Sequence, residues 1–566
     1  MKIIKCEANL ENYGKCQLGG EYVDGSVELK ESKDCFVLNV NCECQFYPYD
    51  YARVFTRYSS MVITVEVENT EKILAQYIKS PFWVGPAFTD STTDIAPKSQ
   101  ALLLKHDNDC EFVYALANEN FQTTFQGGQK ANQIEICVNA ISPDTTKLCG
   151  TAVIVAKDKD PYVAVDKAFD VLEEKKLIKT ILKKHKRYPE ALEYLGWCTW
   201  NAFYHDVSEK GIIEKMEEFK SKNIPVKWVL IDDGWSEVSE DMTLKSIYED
   251  KNKFPNGLKG TMDILKQKYG IISVGVWHAA TGYWKGTDFK NEGTLTTPSG
   301  IEVPSGYDFY STWQNYLKEQ GVDFVKVDSQ GNMPEFMQNN KDSLECVVSA
   351  QQGLDKSAEE NFDFMINCMG MVNINMLNRN TSVMCRNSDD FQPGEKTSLQ
   401  NHVLQNVYNA IFNDSLYFCD FDMWWSKHFE AEQNAVLRAV SGGPFYLSDK
   451  VGDSQADIIS KFVDDEGHID RYNKAAMPTA DCVFGFDKAL KIFNTKGDDG
   501  VVAVFTFDDG GETVVSCEDF GGSGNYTVVE KLTGQNYTLN NGESIKLKLD
   551  DHSVKMFVFT KEYNNV

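Results

Sequence analysis

Val322-Asp323-Phe324-Val325-Lys326-Val327-Asp328 and, further on, Cys385-Arg386-Asn387-Ser388-Asp389-Asp390-Phe391-Gln392-Pro393 are built alike. In each, an apolar run of strand length ends in a basic residue followed by a carboxylate, which places Lys326 with Asp328 and Arg386 with Asp390 at two strand ends. Two carboxylates flanked by cations on one rim suit glycoside hydrolysis. That reaction needs one carboxyl to attack or stabilise the sugar carbon and another to protonate the leaving oxygen.

Working outward, apolar runs alternate with helical patterns. The runs are Tyr194–Thr199, Val226–Asp233, Ile272–Ala279, Val322–Asp328, Asp363–Met369, Ser382–Ser388, Leu416–Asp422 and Gly442–Ser448. Between them lie amphipathic stretches such as Ser208–Asn223, Gly260–Gly270, Ser343–Asn361 and Ser398–Asp414, several opened by a serine suited to cap a helix. Eight strand–helix units over roughly 250 residues predict a (β/α)8 TIM barrel; a doubly wound sheet is the lesser alternative. Polar groups recur where strands end: Asp232, Asp233, His278, Asp328, Cys368, Arg386, Asp390, Asp420 and Asp422. Barrel chemistry collects at that rim.

The flanks differ. Residues 1–185 carry short β-branched runs (Cys35–Val40, Met61–Val67, Cys110–Ala115, Ala152–Val155) between turn residues, which predicts an N-terminal β-sandwich followed by a connecting helix from Pro161 to Lys186. The basic cluster at 183–187 reads as the solvated end of that helix. Residues 186–475 are the barrel, and 476–566 return to short strands, a small C-terminal antiparallel β domain. In the N-terminal part, Ser80-Pro81-Phe82-Trp83-Val84 is a candidate to present Trp83 at an interdomain surface. The whole is a multidomain α/β chain.

Composition narrows the partners. The formal charge is −27, with 57 basic against 84 acidic residues, which argues against nucleic acid and against an anionic membrane surface. A neutral sugar fits. The first residues turn polar too soon for a secretory signal, and no run approaches a membrane span, so a cytoplasmic location is expected. Fifteen cysteines, several inside apolar runs, require no disulfide, and Cys42 with Cys44 finds no second pair at zinc spacing. Neither a structural metal nor a cofactor is expected, and the sequence is compatible with a homo-oligomer without specifying one.

Several ordered motifs resemble a known family. Leu195-Gly196-Trp197-Cys198-Thr199-Trp200, Ile231-Asp232-Asp233-Gly234-Trp235, Val276-Trp277-His278-Ala279, Gly282-Tyr283-Trp284, Lys326-Val327-Asp328, Arg386-Asn387-Ser388-Asp389-Asp390-Phe391 and Asp420-Phe421-Asp422-Met423 are similar to motifs of glycoside hydrolase family 36, in its branch of raffinose synthases and alkaline α-galactosidases. The resemblance covers roughly Tyr194 to Asp449. It implies that Asp328 is the nucleophile and Asp390 the acid/base, with the adjacent Asp389 a competing choice for the latter. It implies that Lys326 binds the sugar and biases Asp328 toward its ionised form, and that Asp232 and Asp233 hold galactose hydroxyls at positions 4 and 6. Trp200 and Trp235 would wall the sugar subsite; Trp277, His278 and Trp284 would lie toward the leaving group or acceptor. Cys368 would belong to the sugar pocket, and Asp422 would orient Arg386 and the sugar.

The function expected is a retaining exo-α-galactosidase acting on small or oligosaccharide α-galactosides. A raffinose-synthase-type galactosyltransferase uses the same two carboxylates and is the alternative; the chain's shortness beside plant raffinose synthases favours hydrolysis. A non-catalytic galactoside-binding protein ranks third, since nothing in the pair is missing.

Overall fold

The computed structural model describes residues 1–10, 14–18, 24–33, 35–44, 46, 59–140, 145–337, 340, 343–395 and 398–563. Its centre is an eight-stranded parallel sheet: β1 (Gly196–Cys198), β2 (Trp228–Ile231), β3 (Ser273–Ala279), β4 (Phe324–Asp328), β5 (Phe364–Asn367), β6 (Met384–Arg386), β7 (Phe418–Asp420) and β8 (Tyr446–Leu447). The strands pair in chain order from β1 to β7, and β8 pairs β1. A parallel bridge between Trp424, just past β7, and Leu447 in β8 joins the two edges.

Alternation along these strands sorts side chains into two faces. The inner face starts with a bulky apolar floor of Trp228, Phe324, Phe364, Met384, Phe418 and Tyr446. Phe324 stacks on Phe364 at 4.5 Å, and Trp228 lies 5.1 Å from Tyr446. Two residues further along the strands, the same face turns polar with Lys326, Arg386 and Asp420, all buried. The outer face, with Val229, Val276, Val325, Val327 and Cys385, packs on the helices. The floor fits because β1 and β3 contribute glycines: a Cβ on Gly196 would stand 2.0 Å from the Trp228 ring, and one on Gly275 2.3 Å from Phe324.

The helices between the strands obey their caps. Ser208 Oγ accepts from the Gly211 amide to open Glu209–Ser221, and Gly270, at φ 69°, closes Gly257–Tyr269. The connecting helix is shorter than expected. It runs Pro161–Glu174 and ends because Lys176 adopts φ 54°, with the Leu177 amide bonded back to the Leu172 carbonyl. No glycine marks that stop. The basic cluster lies beyond the helix and is solvated only in part: Lys184, His185 and Arg187 are exposed, whereas Lys183 pairs with Asp414 and Lys186 donates to the Leu416 carbonyl at 2.8 Å over the Tyr417 ring. Burial pushes Lys186 down to about 7.

Before this connector, the N-terminal strands form one twelve-stranded, largely antiparallel sheet. Residues Leu102, Leu104, Val113, Ala115, Val153 and Val155 face an internal N-terminal core. Their neighbours Ala101, Leu103, Phe112, Tyr114, Ile154 and Ala156 face the central cluster shared with the parallel sheet. Strands Ser99–Lys105 and Cys110–Ala115 are therefore buried on both faces. Past Ala476, a six-stranded antiparallel path and a two-stranded pair form the C-terminal β region. Gly511–Val515 and Gln535–Leu539 belong to it; both are polar, half-exposed strands with a weak apolar signal. Among the described residues no helix is long and apolar enough to cross a membrane, and the described cysteines form no disulfide.

The glycine contacts yield a direct test. Gly275→Ala forces its methyl into the Phe324 ring and should destabilise the protein by about 1–3 kcal/mol, seen as a lower unfolding midpoint in urea; an unchanged midpoint would mean the floor relaxes freely.

Candidate active site

The rim is assembled from the inner-facing residues at the C-terminal strand ends. Asp328 closes β4, is 7% exposed, and accepts a 2.8 Å hydrogen bond from Trp277 Nε1 through Oδ2. Its Oδ1 is buried without a hydrogen-bond partner. Register explains the first contact: Trp277 of β3 pairs with Lys326 and Ala279 with Asp328, so Trp277 shares the inward face with both. The same alternation turns His278 the other way. It is fully buried against Trp313 at 4.6 Å, with Nε2 3.1 Å from Gln314 on the helix Tyr307–Glu319, and burial pushes it down to about 4. His278 therefore faces the helix layer rather than the rim, contrary to its expected place near a ligand.

Lys326 differs from expectation in its choice of partner. Nζ lies 2.8 Å from Asp232 Oδ2 and 3.9 Å from Asp328 Oδ2. Burial pushes the Asp328 carboxyl up; Lys326 opposes this, Asp390 adds to it, and contacts with Cys368 and Trp277 oppose it. The net direction is upward, so Lys326 tempers the effect of burial on Asp328 without reversing it.

Asp232 and Asp233 follow β2 and are buried. Asp232 also accepts from Cys198 Sγ at 3.3 Å and from the Asp233 amide at 2.9 Å. Asp233 accepts from Tyr283 Oη at 3.0 and 3.2 Å, from Trp284 Nε1 at 3.0 Å, and lies 3.2 Å from His205 Nε2. Tyr283 and His205 were not foreseen as part of this set; Tyr283 stood inside a quoted motif, whereas His205 sits in a short loop helix without any sequence signal. Trp235 is wholly buried and donates to the Trp277 carbonyl at 2.7 Å, which makes it a strut for Trp277. Trp200 is partly exposed and packs edge-on against Tyr204 and His205.

Arg386 of β6 is completely buried. Its Nη2 lies 2.9 Å from Asp422 Oδ2 and 3.3 Å from Asp390 Oδ1, and donates to the Asp389 and Ser388 carbonyls at 2.9 and 3.2 Å. Cys368 Sγ is 3.7 Å from Nη1, and Trp83 of the N-terminal sheet lies 5.5 Å below the guanidinium. Burial pushes the Cys368 thiol well up, so it stays protonated. The Asp390 side chain is half exposed, whereas the Asp389 carboxylate is occupied by Lys79 Nζ and Gln405 Nε2, each at 2.8 Å. Asp420 accepts from Tyr446 Oη at 2.9 Å and is pushed up to about 6 by burial; Asp422 accepts from the Phe391 amide at 2.7 Å. Asp422 thus fixes Arg386 directly, and Asp420 stands behind it by accepting from the Asp422 amide at 2.9 Å. Elsewhere, Glu68, His106 and Asp109 gather at metal-ligand spacing among the described residues, but Lys157 already lies 2.7 Å from Glu68 as a resident cation.

A parallel β/α sheet preceded and followed by β regions is a fold this chain shares with solved α-galactosidases. The GH36 α-galactosidase AgaA from Geobacillus stearothermophilus superposes with a TM-score of 0.58 at 11% identity, covering 99% of this chain and 89% of that one. The α-galactosidase from Lactobacillus brevis gives 0.60 at 10% identity, covering 99% and 88%. In sequence, the profile described as raffinose synthase or seed imbibition protein Sip1 matches residues 57–256 and 294–534, and the chain belongs to that family. A probable galactinol–sucrose galactosyltransferase 6 of Arabidopsis thaliana is 28% identical over 518 residues, 79% of this chain and 69% of the relative. The galactinol–sucrose galactosyltransferase of Pisum sativum is 27% identical over 512 residues, 76% and 63%. The chain thus spans about two thirds of these relatives' length.

The Asp233 contacts predict a titration. The hydrogen bond to Asp233 raises His205 above the ordinary histidine range. Because the folded state raises this pKa, the pair's contribution to stability is full below the ordinary value and is lost as pH rises through the raised one. NMR titration should find His205 high in the native protein and closer to ordinary in Asp233→Asn.

Proposed function

We propose that this chain is a retaining α-galactosyltransferase. Asp328 attacks the anomeric carbon of an α-galactoside while Asp390 protonates the departing oxygen. An acceptor hydroxyl then attacks the β-linked galactosyl–Asp328 intermediate and yields its proton to Asp390. The scaffold is a closed (β/α)8 barrel over residues 186–475, between an N-terminal β-sandwich at 1–185 and a C-terminal β domain at 476–566. Asp232 and Asp233 take the galactose hydroxyls with the acceptor sites left over from their internal hydrogen bonds.

The observation that carries this reading is the state of Asp328. One oxygen is fixed by Trp277 and the other is buried with no hydrogen-bond partner. Such a carboxylate is poorly solvated, and the positive charge developing on the sugar carbon supplies what the resting site lacks. Asp390 is the half-exposed carboxyl that acts electrostatically on it, while Asp389 is engaged elsewhere. Transfer is preferred over hydrolysis because the relatives named above are galactosyltransferases; chain length, which pointed to hydrolysis, weighs less than that kinship.

With galactinol and sucrose, raffinose should accumulate faster than free galactose; the opposite ratio returns the chain to hydrolysis. Asp328→Asn should lower kcat/KM by about four orders of magnitude or more. In a crystal structure with a bound galactoside the two carboxyls should stand about 5–5.5 Å apart, and a gap of about 9 Å would overturn retention.

A further inference from the structure

The turn between strands Lys72–Ile78 and Val84–Thr89 of the N-terminal sheet reaches the rim of the parallel sheet. The Met371 amide, after β5, donates to the Phe82 carbonyl at 3.3 Å. Gly331, after β4, passes so close that a Cβ there would meet the Pro81 carbonyl at 2.4 Å. Trp83 lies against Arg386 of β6, and Lys79 pairs with Asp389 in the loop that follows. The turn is held in shape by the Lys79 and Ser80 amides donating to the Trp83 carbonyl and by Ser80 Oγ accepting from the Trp83 amide. One short turn of the N-terminal sheet thus touches the three loops that follow β4, β5 and β6.

Asp389 is fixed on two sides. Its carbonyl accepts from the buried Arg386, and its carboxylate is gripped from outside by Lys79 and Gln405, with its amide donating to Gln405 Oε1 at 3.2 Å. The next residue has far less: among the described residues its side chain makes one ion pair, the 3.3 Å approach of Arg386 to Asp390. Its direction is therefore set mainly by the backbone of the turn that Asp389 anchors.

We propose that Lys79 is a positioning residue of the active site, which through Asp389 holds the 388–390 turn so that the Asp390 carboxyl stands at the leaving oxygen. This rests on the galactosyl-transfer reading, in which Asp390 is the acid/base. Proton donation matters only where the leaving group is a poor one: a sugar or cyclitol alkoxide needs it, a nitrophenolate does not. The base step that follows needs Asp390 with either donor.

Lys79→Met should therefore lower kcat/KM for galactinol by about 10–100-fold, the scale of a misplaced catalytic group. With 4-nitrophenyl α-galactoside, kcat/KM should stay within about threefold of wild type, while kcat and KM fall together because the intermediate accumulates. Lys79→Arg should restore galactinol turnover, and Asp389→Asn, a milder change should Lys79→Met fold poorly, should reproduce the selective loss. Thermal melting of each variant checks folding. An equal loss with both donors, or no loss with galactinol, overturns the assignment to Lys79. A wild type inactive on both donors would instead defeat the underlying functional reading.

Discussion

A buried guanidinium costs several kcal/mol unless its donors are answered, and Arg386 is buried completely. Much of the rim answers one of its nitrogens, Nη2, while Nε is buried without a hydrogen-bond partner. Asp422 supplies the counter-charge from a left-handed backbone at φ 68°, a conformation held by the Asp420 carboxylate accepting from the Asp422 amide at 2.9 Å. The carbonyls of Ser388 and Asp389 curl around the same nitrogen, which bends the chain after β6 into the turn that carries Asp390. Trp83, in a turn of the N-terminal sheet, covers the guanidinium. Removing Asp422 would take away the buried counter-charge of this guanidinium, a loss of about 3–5 kcal/mol by analogy with broken buried pairs.

Legibility followed the strength of the local signal. The eight parallel strands could be counted because their outer face is continuously apolar and their ends are polar, although β8 shrinks to two residues and β6 to three. Asp328 and Arg386 stood at strand ends that the sequence marks plainly. What alternation could have added was the facing of neighbours: with Lys326 and Asp328 taken as inward, the β3 register sends Trp277 inward and His278 outward. Long-range partners were out of reach of such reasoning. Nothing local in Lys79, far off in the sequence, or in Gln405, on the following helix, predicts that both grip Asp389. Lys186 looked solvated because its neighbours are charged, yet it lies over an aromatic ring supplied by β7's approach.

The pairing of Lys326 with Asp232 also alters how charge is shared at the rim. A cation that leans toward β2 leaves Asp328 the less engaged of the two carboxylates, so the group proposed to attack is also the group with an oxygen lacking a hydrogen-bond partner. Asp232, by contrast, is already held by an ammonium, a thiol and an amide. The two aspartates differ in environment more than in chemistry, and their proposed division into sugar holder and nucleophile follows from that difference.

The N-terminal strands buried on both faces have a consequence for the chain as a material object. Their inward residues share one continuous apolar cluster with the parallel sheet and with C-terminal residues such as Leu490 and Met556. Cutting the chain at either junction would expose hydrophobic surface on both fragments rather than separate two finished bodies. Such fragments would be prone to aggregate when produced alone, so the central sheet is not a portable module.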